Sequence, residues 1–249
     1  MRFTKRALSL SASAFMLTAA LCQPAMAAPG KENLGTVAKV SASAVTVDGK
    51  KDAIYDKGLN VKVQGSDEVS ADTWFVWTDG YVYFYADVTD PELKDCDAAT
   101  KKTTPWTPDN VELFIDDDND GKDYAMQYRV DFTGYGSWKD RSANKNYYTT
   151  DVIGDDFKYA AVKTDKGYTA EMRVPLNGKV GNEVGFNIQA SFNSIASDPW
   201  KTSEYNYFVL GEPVKADTPV TDAPKTADPI SLVLLAAAAS GLVVFKKKH

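Results

Sequence analysis

Histidine is almost missing from this chain: of 249 residues it has one, His249. That excludes His-based acid–base catalysis, His-ligated zinc and His-ligated haem from everything upstream of it. Cysteine is nearly as scarce. There are two, Cys22 and Cys96, and Cys22 falls in a leader-like segment, so Cys96 has no intrachain partner. Nothing near it in sequence lowers its pKa, and it reads as an inert thiol rather than a nucleophile. The middle of the chain lacks any stretch with a convincing 3.6-residue period and lacks an internal repeat, which argues against helical folds. Basic residues are also short. Of 28, six lie in the two ends, where none of the 34 acidic residues occurs, leaving a net charge of −12 between them. Such a charge disfavours nucleic acid and anionic lipid as partners. It suits cations and neutral ligands.

The two ends read as addresses. Residues 1–27 begin with Arg2, Lys5 and Arg6, continue as an uncharged apolar run, and close on Ala25-Met26-Ala27. Basic head, short apolar middle and small-x-small site are expected of a secretory signal peptide. Leu21 stands where a lipoprotein site at Cys22 would need a small residue. At the other end, residues 229–249 hold an uncharged stretch rich in Leu, Val and Ala, then Lys246, Lys247 and Lys248. About 17 apolar residues sit at the short limit for a membrane helix, and the lysines would keep that end in the cytoplasm. Residues 212–228 carry Pro213, Pro219 and Pro224 among Thr, Asp, Ala and Lys, a composition that cannot bury a core and acts as a spacer. Its Ala223-Pro224-Lys225-Thr226-Ala227 resembles a Gram-positive cell-wall sorting signal, with Ala for Leu and Ala for Gly. That resemblance implies sortase as a partner; a plain membrane anchor is the other reading. Both place the intervening domain, residues 28–211, on the outer face of the cell surface.

That domain reads as strands with turn chemistry between them. Thr73 to Thr78 and Tyr81 to Val88 flank Asp79-Gly80, a hairpin dipeptide. Val82, Phe84, Ala86 and Val88 form one face of the second strand and Tyr81, Tyr83 and Tyr85 the other. Val111 to Ile115, Tyr124 to Phe132, Tyr168 to Val174, Gly185 to Asn193 and Tyr205 to Leu210 continue the period-2 pattern. Many such strands without helices between them predict an all-β fold, an antiparallel β-sandwich of the jelly-roll type. Glu112, Gln127, Arg129, Asp131, Asn187, Gln189 and Ser191 fall on faces opposite the core. They form either an ordinary wet sheet face or a hydrogen-bonding surface for hydroxyl-rich ligands. Trp106, between Pro105 and Thr107-Pro108, and Trp200, after Asp198-Pro199, lie in loops, where an exposed ring serves a ligand more readily than a core. Trp74 and Trp77 lie on opposite faces of one strand, and Trp138 follows a Gly-rich loop.

Several ordered motifs resemble the family 9 carbohydrate-binding modules. They are Val47-Asp48-Gly49-Lys50-Lys51-Asp52, Trp77-Thr78-Asp79-Gly80-Tyr81-Val82-Tyr83, Val88-Thr89-Asp90-Pro91, and Pro105-Trp106-Thr107-Pro108-Asp109-Asn110-Val111-Glu112-Leu113-Phe114-Ile115-Asp116. Gln127-Tyr128-Arg129-Val130, Gly167-Tyr168-Thr169-Ala170-Glu171 and Gly185-Phe186-Asn187-Ile188-Gln189 continue the series. The resemblance implies an extracellular β-sandwich that binds polysaccharide or oligosaccharide, such as xylan or cellulose, without transforming it. It implies Trp106 and Trp200 as stacking platforms and Glu112, Arg129 and Gln189 as polar contacts. Asp131 stands where the family commonly has Asn, so it joins the contact set.

The loop Asp116-Asp117-Asp118-Asn119-Asp120-Gly121 has alternate carboxylates at Asp116, Asp118 and Asp120 and a glycine for the sharp turn. It reads either as a solvated acidic turn or as a calcium loop, and the family resemblance implies structural calcium. An EF-hand is excluded, because its twelfth position is Gln127 and no helices flank it. Other functions remain as alternatives: a surface adhesin for a protein or host glycan, a two-carboxylate glycoside hydrolase, or a haem binder, for which Met126 and Met172 would be the candidate ligands.

Overall fold

The structure, a computed structural model, describes residues 31–214 apart from 65–67, 123–124, 141–153, 192 and 196–199. The leader, most of the linker and the C-terminal apolar segment lie outside the described residues. Among the described residues no helix is long and apolar enough to cross a membrane.

The strands are β1 (Asn33–Lys39), β2 (Leu59–Gln64), β3 (Ser70–Thr78), β4 (Tyr81–Thr89), β5 (Asn110–Asp116), β6 (Met126–Asp131), β7 (Gly136–Asp140), β8 (Lys158–Thr164), β9 (Gly167–Pro175), β10 (Glu183–Ala190), β11 (Asn193–Ser194) and β12 (Asn206–Pro213). One short helix, α1 (Ala98–Thr103), precedes β5, so the expectation of strands alone needs that correction. Asp97 caps it by accepting from the amides of Ala99 and Thr100, which satisfies two of the orphan donors of a helix start.

The expected alternation builds the core. Val82, Phe84, Ala86 and Val88 of β4, Ala170 and Met172 of β9, and Phe186, Ile188 and Ala190 of β10 are all buried in one apolar cluster. Met172 belongs to it, and Met126 packs against it. The strands hydrogen-bond in the order β7-β6-β5-β10-β12-β1-β3-β4-β9-β8, a nearly closed sheet flattened into two leaves. Phe75, packed on Phe84 of the same leaf, meets Phe186 and Phe208 of the other, with ring centroids 5.2 and 5.5 Å away.

Strand β1 joins the leaves. It runs parallel to β12 from Asn33–Tyr207 to Lys39–Pro213, while at its end Ala38 and Lys39 also pair in parallel with Val76 and Trp77 of β3. The sheet is therefore antiparallel everywhere except at β1, a departure from the expected wholly antiparallel sandwich. Register shifts on either side of Thr36 and Val37 let the strand bend from one leaf to the other. β2 holds the rest of the same β3 edge, from Leu59–Phe75 to Gln64–Ser70.

Both outer faces differ from the expected wet surfaces. On one leaf Tyr83, Tyr85 and Val76 are buried beneath Val40, Val45 and Tyr55, because residues 40–58 cross that face. On the other, Glu112, Gln127, Arg129 and Asn187 are almost fully buried although polar; Glu112, Gln127 and Arg129 satisfy one another. The strand expected over Gly185–Asn193 ends at Ala190. Ser191 takes φ +42°, and the chain doubles back so that β11 pairs with Gln189 and Ala190. Trp138 proves to be a buried core residue of β7 rather than a loop aromatic. Trp77 is buried, with its indole N–H donating to the Gly211 carbonyl at 3.1 Å. Trp74 packs outside under the Lys51 ammonium, 3.7 Å from its ring. Cys96 is a half-exposed free thiol.

Candidate functional site

Two rows of side chains cross four neighbouring strands on the outer face of the β10-β5-β6-β7 leaf. Register places Gln189, Glu112, Arg129 and Ser137 in one row. Asn187, Phe114, Gln127 and Lys139 form the next. Residues two apart on a strand share a face, so the eight positions make one patch. From it Glu112, Gln127, Arg129, Lys139 and Gln189 form the floor of an open cleft of about 290 Å³.

The floor is held by charge. Arg129 Nε donates to Glu112 Oε1 at 2.6 Å, and Gln127 Nε2 donates to Glu112 Oε2 at 2.5 Å. Arg129 Nη1 reaches Ser137 Oγ at 3.2 Å. A buried carboxylate is stable only when its oxygens are paired and hydrogen-bonded, and here each oxygen has a donor. The groups are thus fixed before any ligand arrives, which lowers the ordering cost of binding.

The walls are tryptophans. Trp106 is 40% exposed and Trp200 52% exposed, and both border the cleft. Among the described residues they are the two substantially exposed aromatics. The Arg129 guanidinium lies 6.0 Å from the Trp106 ring, within cation–π range. Phe114 sits edge-on to Trp200 at 6.0 Å, with Tyr205 beside it, so a small apolar cluster supports that wall. Flat apolar walls over a floor of fixed donors and acceptors suit a ring-shaped ligand with apolar faces and hydroxyl edges.

Of the residues expected from the sequence, Trp106, Trp200, Glu112, Arg129 and Gln189 come together here. Asp131 does not line the cleft. It is buried and ion-paired with Lys101 at 2.9 Å, while its Oδ1 accepts from the Thr133 amide and hydroxyl and from the Tyr135 amide. Gln127, expected on the polar face but not in the contact set, and Lys139, which was not singled out, also line the cleft. Gln127 shares its alternation face with Arg129, and Lys139 is adjacent to buried Trp138, so the same period carried both signals.

The acidic loop is separate from the cleft. Carboxylate oxygens of Asp116, Asp118 and Asp120 lie within 4.8 Å of one another. Asp116, at the end of β5, is buried, and burial followed by the neighbouring Asp118 pushes its carboxyl up to about 6. The Gly121 amide donates to Asp116 Oδ2 at 3.2 Å, and Lys31 Nζ reaches the Asn119 carbonyl at 3.0 Å. Three converging carboxylates are a donor set that fits a hard cation.

A β-sheet scaffold with a preformed, aromatic-walled polar cleft on its outer face defines a ligand-binding module. Residues 47–202 match the model of the carbohydrate family 9 binding domain-like family, and the chain belongs to that family. It is 33% identical over 159 residues to exoglucanase XynX of Acetivibrio thermocellus, a match covering 58% of this chain and 13% of that protein. It is 30% identical over 165 residues to endo-1,4-beta-xylanase C of Paenibacillus barcinonensis, covering 62% and 14%. The chain thus corresponds to a small part of these relatives' lengths. Its fold matches a family 9 carbohydrate-binding module from Caldicellulosiruptor kristjanssonii solved with cellotriose, with a TM-score of 0.56 and 20% identity over 75% of this chain and 97% of that one. The glucose complex of a module from the same organism gives 0.55.

Proposed function

We propose that this domain binds β-linked glucose- or xylose-based oligosaccharide and polysaccharide in the cleft and does not cleave it. Trp106 and Trp200 stack on the sugar faces. Glu112, Arg129 and Gln189, with Gln127 and Lys139, supply the hydrogen bonds. The observation that carries this reading is that the two exposed tryptophans border one cleft whose floor is a clamped polar network. The glucanase and xylanase relatives, and the cellotriose bound to a neighbouring fold, favour these sugars. Hydrolysis needs two carboxylates flanking the bond. Among the described residues lining the cleft, Glu112 is the one carboxylate, and it is ion-paired.

The same proposal places the domain outside the cell, exported by residues 1–27 and held through the linker 212–228 by the apolar segment 229–249, in the wall through sortase or in the membrane. There it captures glycan for breakdown by enzymes acting nearby. Asp116, Asp118 and Asp120 would hold a structural calcium ion, which would tie the β5–β6 turn together rather than take part in binding.

Calorimetric titration of the protein with cello-, xylo- and manno-oligosaccharides tests the reading. Saturable heat with the first or second series, lost in Trp106→Ala, is the expected result. A folded protein that gives no heat with any glycan overturns it and favours adhesion to a protein.

A further inference from the structure

The excursion that carries Trp106 is held in an unusual way. It leaves the sheet after Thr89 and rejoins it at Asn110, and its neck is closed by the Asp109 amide on the Lys94 carbonyl at 2.9 Å and the Lys94 amide on Asp109 Oδ2 at 2.6 Å. Between these points lies α1, and the one buried residue of α1 is Lys101. A six-residue helix with no buried apolar side chain has no hydrophobic means of docking. Lys101 supplies a polar one. Its ammonium donates to Thr133 Oγ1 at 2.7 Å and is ion-paired with Asp95 Oδ1 at 2.7 Å and Asp131 Oδ2 at 2.9 Å. Thr133 and Asp131 belong to the end of β6 and the turn after it, so this contact fastens the helix to the sheet.

Trp106 is coupled to that helix by short backbone links. The Thr104 amide donates to the Thr100 carbonyl at 2.7 Å, and the Thr107 amide to the Thr104 carbonyl at 3.0 Å. Trp106 therefore sits in a turn that hangs directly from the end of α1. On the sheet side, Asn110 Nδ2 donates to the Pro108 carbonyl at 2.6 Å.

We propose that Lys101 and Asp131 are positioning residues that set Trp106 over Arg129, so that the ligand meets a wall already in place. The inference rests on the reading of the cleft as a glycan site. The two oxygens of Asp131 divide the work. Oδ1 caps the turn through Thr133 and Tyr135, and Oδ2 faces Lys101. Asp131→Asn keeps an oxygen for the cap and turns an amide donor toward the ammonium. It releases the helix while leaving the turn intact. Lys101→Met removes the same link from the other side and keeps the stem.

The test combines titration with cellotriose and hydrogen exchange over residues 98–108. Each variant should weaken cellotriose binding about tenfold, the scale of reordering one or two side chains on binding. Each should also speed exchange in that segment. The double variant should be no worse than either single one, because both break one link. Unchanged affinity and exchange in the singles, even with a lower Tm, would make the pair purely structural and overturn the proposal. If the unsubstituted protein itself binds neither cello- nor xylo-oligosaccharide, the glycan reading fails. Exchange then decides alone: faster exchange over 98–108 in Asp131→Asn supports the positioning role, and unchanged exchange overturns it.

Discussion

Glu112 and Arg129 show how one buried pair carries both structure and recognition. Each is about 95% buried, and the pair lies directly across two strands. Removing one partner strands a charge in a low-dielectric setting. Arg129→Met should therefore cost about 3–5 kcal/mol in urea unfolding. The surface pair Lys39–Asp79, whose Asp side chain is 82% exposed, should lose less than about 1 kcal/mol on the same treatment. Glu171 makes a different residue-scale prediction. Its Oε2 accepts from the Asp48 and Gly49 amides, and its Oε1 accepts from the Tyr55 hydroxyl at 3.0 Å. Burial pushes its carboxyl up to about 7, well above the ordinary carboxylate range. Between about 4.5 and 7 the folded state keeps a proton that the unfolded chain releases. Stability should thus fall as pH rises through that window, by at most about 1.4 kcal/mol per unit, and level off above it. Glu171→Gln keeps an oxygen for both amides and removes the titration. Urea unfolding of the two proteins from pH 4.5 to 8 should show a steeper fall in the unsubstituted one, and above about pH 6, where the raised Asp116 carboxyl no longer contributes, a fall in the unsubstituted one alone.

Strands with a clean period of two were legible before the structure. β4, β9 and β10 bury the side chains their alternation assigns inward. The edge strands β7 and β8 were not. β7 is five residues long and begins at Gly136, and β8 leaves most of its side chains at least partly exposed. β1 was hidden for another reason. Its Gly35 and register shifts break the alternation, and its parallel partners lie far away in sequence. The helix α1 spans too few residues for any period to show. At this scale the β5–β6 turn carries a prediction. Calcium at 100 times its dissociation constant should raise stability by about 2.7 kcal/mol, with a chelator reversing the gain and Asp118→Asn abolishing it. A Tm indifferent to both calcium and chelator would leave the loop as a solvated acidic turn.

Across the whole molecule, the core and the cleft occupy different faces of the same strands. The inward sides of β5, β6 and β10 pack Leu113, Val130 and Ile188 against the other leaf, and their outward sides carry Glu112, Arg129 and Gln189. The two functions can therefore be damaged separately. Phe75 touches Phe84, Phe186 and Phe208 at the centre. Phe75→Ala should cost about 3–5 kcal/mol through the lost area and the cavity left behind. That is a large share of a typical domain's total stability of about 5–15 kcal/mol. It should lower the urea midpoint with the slope unchanged.

The sequence alone determined the class of fold and most of the cleft, because alternation along a strand decides which side chains share a face whatever the partner strands are. It also placed Trp106 and Trp200 in loops, since Pro on either side of one and just before the other breaks the strand pattern. Three things waited for the tertiary structure. The polar face is buried because Glu112 of β5 meets Gln127 and Arg129 of β6 only once the two strands are in register. Asp131 turned away from the cleft because α1, invisible as a period, brings Lys101 onto it. The two leaves close through β1, a contact between chain segments over a hundred residues apart that no local pattern encodes.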